Sequence, residues 1–133
     1  MKYLIDTDIA SYYLRGKYNL SDIFGRKGFQ NIRLSRITVA ELEVLAYKNP
    51  QSKINLSSIQ IFSQNLGILE VDKETWRIFS MTKAETLNRG MKKGDFDILI
   101  ASIAKQYKMI LVTNNIPHYK DLSKVENWVD NNE

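Results

Sequence analysis

Cysteine is absent from the 133-residue sequence, and histidine occurs once, as His118. The first absence excludes disulfides, thiolate metal centres and cysteine nucleophiles, and it is compatible with a reducing cytosol. The second leaves little for catalysis that pairs two histidines as acid and base. No apolar run approaches the roughly 20 residues of a membrane span, and the opening MKYLID meets an acid too early for a secretory signal. A cytoplasmic location is the resulting expectation. There is no internal repeat, no low-complexity tract and no Pro/Gly/Ser-rich linker, so residues 1–133 are expected to form one domain.

What is present describes a globular chain: 44% of the residues are hydrophobic and 26% charged, a balance that suits one buried core. The formal net charge of +4 favours polyanionic partners. Part of it is concentrated in NRGMKKGDFD, where Arg89, Lys92 and Lys93 precede two acids. Such a run is a solvated loop or, beside a metal cluster, a guide for a phosphate backbone. Apolar runs predict strands over 2–6, 33–37, 68–71 and 109–113, with a weaker one over 124–128. Helical periodicity predicts helices over 8–15, 19–25, 38–48, 53–65, 73–89 and 95–107. Their alternation implies an α/β fold with a central, mostly parallel sheet of four to five strands and helices on both faces. In such sheets, sites form beyond the carboxyl ends of the strands. Asp6, Glu41, Asn114 and Asn115 follow predicted strands, and Asp95 and Asp97 open a helix able to join them.

The acids each carry a structural reading as well as a chemical one. In YLIDTDIASYYL, Asp6, Thr7 and Asp8 separate a short apolar strand from an amphipathic helix. Thr7 or Asp8 can cap that helix, or the acids serve a site, and the stretch alone does not choose. For Glu41, TVAE reads as a capping box led by Thr38, while its apolar neighbours argue for a side chain aimed into a pocket. Asp95, after Gly94, suits a helix cap. Asp97 stands just before the apolar run ILIASIA, where an unpaired acid is costly. If Asp6, Glu41 and Asp97 converge, two charges about 4 Å apart repel by roughly 4 kcal/mol at an effective dielectric of about 20. A divalent cation relieves that repulsion, and oxygen-only donors select Mg²⁺ or Mn²⁺ over zinc. Magnesium keeps waters and open positions for phosphate oxygens, which points to phosphoryl chemistry.

Taken together and in order, LIDTDI, ITVAELE, GDFDILIASIA, LVTNN and VENW resemble the PIN-domain family over nearly the whole chain, and within it the VapC-type toxin ribonucleases. The resemblance implies a Rossmann-like PIN fold, a Mg²⁺-dependent endoribonuclease for which Mn²⁺ can substitute, and products with a 5′-phosphate and a 3′-hydroxyl. It also implies a cognate antitoxin that blocks the site, and a homodimer. It places the catalytic acids on Asp6, Glu41 and Asp97, with one Mg²⁺ held by Asp6 and Asp97 and reached by Glu41 through water. Asn115 takes the position of a fourth acid and supplies an oxygen without charge. Thr7, Asp8, Thr113 and Asp95 are expected to support the site by orienting ligands or binding phosphate, and Thr113 has the alternative of satisfying its own turn. His118 and Tyr119 stand where relatives often carry an acid followed by phenylalanine. His118, a lone loop histidine, is expected to be a surface or capping residue. Tyr12, Tyr13 and Tyr18 are expected in the core or under an antitoxin helix lying along residues 9–24, rather than as platforms for RNA bases.

Two other functions fit parts of the sequence. An apolar strand followed by D-x-D also opens haloacid-dehalogenase-type phosphatases, with Asp6 as nucleophile and Asp8 as general acid, but that reading leaves ITVAELE without a purpose. The missing fourth acid allows a degenerate, non-catalytic PIN-like module that binds RNA or protein.

Overall fold

A computed structural model describes residues 2–129. Five short strands, β1 (Tyr3–Ile5), β2 (Ile32–Ser35), β3 (Ile68–Leu69), β4 (Ile110–Val112) and β5 (Val125–Glu126), pair in parallel in the order β3-β2-β1-β4-β5. Between them run α1 (Thr7–Leu14), α2 (Leu20–Lys27), α3 (Arg36–Lys48), α4 (Leu56–Leu66), α5 (Lys73–Asn88), α6 (Asp95–Gln106) and α7 (Ile116–Tyr119). A 3-10 turn, Phe29–Asn31, precedes β2. Every strand and long helix expected from periodicity is present. The turn and α7 are additions, because elements of three or four residues carry no readable period.

Successive residues of a strand point to opposite faces of the sheet, and here they feed two cores. Ile5 and Val112 join Ile9 of α1, Phe24 of α2, Leu42 of α3 and Phe62 of α4 on one face. Their neighbours Leu4 and Leu111 join Ile98 and Ala101 of α6, together with Tyr119, on the other. Tyr13 lies on the first side, its ring stacked on Phe24 and Phe62 at 4.5 and 4.8 Å. Tyr12 and Tyr18 are half-buried and meet edge to face.

The chain steps outward from β1 through β2 to β3, then returns to place β4 on the other side of β1. That reversal opens a crevice beyond the carboxyl ends of β1 and β4. Helix starts at this edge differ from those expected. Asp6, not Thr7 or Asp8, caps α1: its Oδ1 accepts from the Ile9 amide at 3.0 Å, because the helix begins directly after it. Ser35 caps α3 by accepting from the Thr38 amide at 3.0 Å, so Thr38 sits inside the first turn and Glu41 is released from the capping box. The N-cap of α6 is Gly94, with no side-chain cap bond, and Asp95 lies within the first turn. Among the described residues, no helix is long and apolar enough to cross a membrane.

Candidate active site

The floor of the crevice is the end of β1. The Asp6 amide donates to the Val112 carbonyl at 3.0 Å, which ties the residue into the β1–β4 ladder, and its side chain is only 3% exposed. Burial pushes the Asp6 carboxyl from its ordinary 3.8 up to about 7, against the opposing hydrogen bonds from the Ile9 amide and the Thr113 hydroxyl. The negative charges of Asp8 and Asp97 push in the same direction as burial. A carboxyl in this position is costly to ionise unless a cation stands beside it.

Glu41 reaches the crevice from the second turn of α3. Thr7, the first residue of α1, donates its hydroxyl to Glu41 Oε1 at 2.5 Å and lies 3.3 Å from Thr38 Oγ1, which couples the two helix starts. Asp97 comes from the first turn of α6, where the helix dipole favours negative charge. Both of its oxygens are engaged. The Tyr119 hydroxyl donates to Oδ1 at 2.8 Å, and His118 Nε2 meets Oδ2. Burial, and then the bond to Asp97, hold the Tyr119 phenol protonated well above its usual range.

Asp6, Thr7, Asp8, Glu41, Asp97, Asn115, His118 and Tyr119 line one cleft of about 190 Å³. A larger groove of about 620 Å³ lies between α3 and α4, but of the acids it takes only Glu43, so volume does not mark the chemistry here. Thr113 is fully buried behind Asp6, and its hydroxyl also accepts from the Asn115 amide at 2.9 Å, the turn-satisfying contact expected of a strand end. Asp95 is not part of the cleft. It is exposed and pairs with Lys83 Nζ of α5 at 2.8 Å, since the first residue of α6 points away from the side that carries Asp97.

His118 is neither a free surface residue nor a cap; it and Tyr119 are parts of the site that reading the sequence missed. The signal was there: the strand-end rule, carried through the whole loop after β4 instead of its first two residues, includes both. The donor set is all oxygen apart from that imidazole. Among the described residues no three acidic or histidine side chains stand close enough together to enclose an ion. The carboxylates of Asp6, Glu41 and Asp97 on this cleft are oxygen donors, which suit a hard cation that keeps much of its water better than a fully protein-ligated zinc.

Comparison with known proteins agrees in fold. A sequence profile of the PIN domain matches residues 3–121. Ribonuclease VapC2 of Haemophilus influenzae is 33% identical over 133 residues, covering 97% of this chain and 99% of the relative. The tRNA(fMet)-specific endonuclease VapC of Shigella flexneri is 26% identical over 137 residues, covering 96% of this chain and 98% of the relative. Among solved structures, VapBC2 from Rickettsia felis bound to a DNA fragment from their promoter superposes with a TM-score of 0.82 at 29% identity, covering 96% of this chain and 99% of that one.

Proposed function

The chain belongs to the PIN-domain family, and from that premise we propose that it is a Mg²⁺- or Mn²⁺-dependent endoribonuclease, the toxin of a toxin-antitoxin pair acting in the cytoplasm. The observation that carries this reading is the meeting of Asp6, Glu41 and Asp97, from three remote segments, in one cleft. The phosphatase alternative gave Glu41 no task, and the family assignment displaces it.

Asp6 and Asp97 are the residues that would hold the cation, with Glu41 in reach through water and Asn115 offering a neutral oxygen. When bound, the cation lowers the pKa of water and offsets the charge that builds on phosphate oxygens. The chain's own groups orient and move the proton. Glu41, aligned by Thr7, takes it from the attacking water. Asp6 is held by the Ile9 amide, and Asp97 by its two partners. Attack by water with loss of the 3′-oxygen leaves a 5′-phosphate and a 3′-hydroxyl.

The name of the Shigella relative makes structured tRNA the first substrate to try. The Rickettsia structure is of a VapBC2 system, which supports a cognate antitoxin for this chain, and the family resemblance adds a homodimer as the assembly to look for. The purified chain, incubated with tRNA and Mg²⁺ or Mn²⁺, is expected to cut it and to stop on addition of EDTA. Asp6→Asn and Asp97→Asn proteins with unchanged circular dichroism are expected to lose activity by about 100-fold or more. Cleavage that ignores both EDTA and these substitutions overturns the assignment. Binding of tRNA without cleavage at any cation concentration establishes the non-catalytic module instead.

A further inference from the structure

The ring of Tyr119 is a core element: the residue is 4% exposed and packs with Leu4, Ile98, Leu111 and Leu122. Phenylalanine would fill that space equally well. The hydroxyl is the addition, and a buried hydroxyl needs a partner. It has one in Asp97 Oδ1, at 2.8 Å. The other oxygen of the same carboxylate meets His118 Nε2. The His118 ring leans edge-on against the Tyr119 ring at 5.3 Å, and Lys93 Nζ donates to the His118 carbonyl at 2.8 Å, so the short helix α7 is held from both sides. Gly94 completes the surroundings. Its backbone, at φ −67, is one any residue adopts, but a Cβ there would stand 3.2 Å from Asp97 Oδ2. Space for this carboxylate, and not backbone conformation, is what glycine provides.

A carboxylate offers about four lone-pair positions. One donor on each oxygen takes up two and leaves the others, while removing the freedom of the group to turn in a cleft where its side chain is 27% exposed. Such fixed orientation is what outer partners of a ligating carboxylate supply to a metal site. We propose that His118 and Tyr119 are positioning residues, a two-point clamp that presents Asp97 to the divalent cation. This rests on the cation reading of the cleft given above.

Mn²⁺ alone is a sufficient probe, titrated into the full chain and followed by the electron paramagnetic resonance of the free ion. Tyr119→Phe keeps the core and removes only the hydroxyl; His118→Leu removes the second donor. Each is expected to weaken Mn²⁺ binding by roughly 10-fold, and the pair together by up to about 100-fold. Melting in EDTA should stay at the wild-type temperature for Tyr119→Phe. His118→Gln, whose side-chain amide can donate from a similar reach, is expected to recover most of the loss, which a merely structural histidine would not require. If both single variants bind Mn²⁺ like the wild type while Asp97→Asn binds it poorly, the clamp is wrong and the cation site stands. If Asp97→Asn is also unaffected, or the wild type binds no Mn²⁺, both fall.

Discussion

Asp6 closes a helix and faces a cleft with one carboxyl, and the two duties ask for different charge states. A cap needs only an acceptor, which asparagine provides as well as aspartate. A cation site needs the negative charge, in a position where burial pushes the carboxyl up to about 7. Because this folded value lies above the ordinary 3.8, the stability it contributes is complete below about pH 4 and is lost as pH rises through 7. The interval corresponds to roughly 4 kcal/mol at about 1.4 kcal/mol per pKa unit. In EDTA, the urea midpoint of the wild type is therefore expected to fall relative to that of Asp6→Asn between pH 5 and pH 8, with the inactive variant the more stable protein at pH 8. Parallel midpoints for the two proteins across that range would show that Asp6 is not buried as a costly charge. Gly94 gives the complementary case. Gly94→Ala is expected to melt within about 1 kcal/mol of the wild type while losing about 10-fold in cleavage, since the new methyl presses on Asp97 Oδ2 and not on the core. Melting temperature and cleavage rate, measured on the same preparation, check it.

At the level of elements, helix starts are what aim the acids. Ser35 both ends β2, opposite Leu69 of β3, and caps α3, the helix that delivers Glu41. Ser35→Ala leaves the buried Thr38 amide without an acceptor, and a loss of about 1 to 2 kcal/mol in urea unfolding is expected. This junction also shows what could be read in advance. The strands and long helices were legible because their apolar spacing is a direct record of which face is buried. The cap was not, because TVAE and Ser35 are both competent caps locally, and the choice falls to the pairing of β2 with β3, a long-range fact. Asn55 resolves in the same way: it closes a reciprocal box with Ser58 and starts α4 at Leu56, later than the apolar pattern suggested.

Over the whole molecule, a parallel sheet that reverses direction at β1 and β4 concentrates strand ends in one place, so acids just beyond those ends could be named from the sequence. The contacts of His118 and Tyr119 with Asp97 could not, since they depend on how α7 turns back toward the start of α6. Charge follows the same division. The cleft is acidic while the chain carries a net +4, so the positive charge must lie around the cleft and not within it. In the basic run ahead of α6, Arg89 is paired with Glu85 at 2.8 Å and Lys93 holds the His118 carbonyl. Lys92 is exposed, as is Lys120 directly after Tyr119, and among the described residues neither has an ion-pair partner. Lys120 follows Tyr119 of the cleft and Lys92 precedes the helix that carries Asp97, which makes these two the cations to test against phosphates flanking the scissile one. Each phosphate neutralised on a single strand adds about 0.7 to the slope of log affinity against log salt. In Asp97→Asn protein, expected to bind RNA without cutting it, replacing Lys92 and Lys120 by alanine should therefore flatten that slope by roughly 1.4 for two contacts in fluorescence anisotropy across a KCl series. Arg89→Ala, which removes a charge already satisfied by Glu85, should change the slope by less than either lysine. A slope untouched by the double lysine variant would place the RNA backbone along a different face of the molecule.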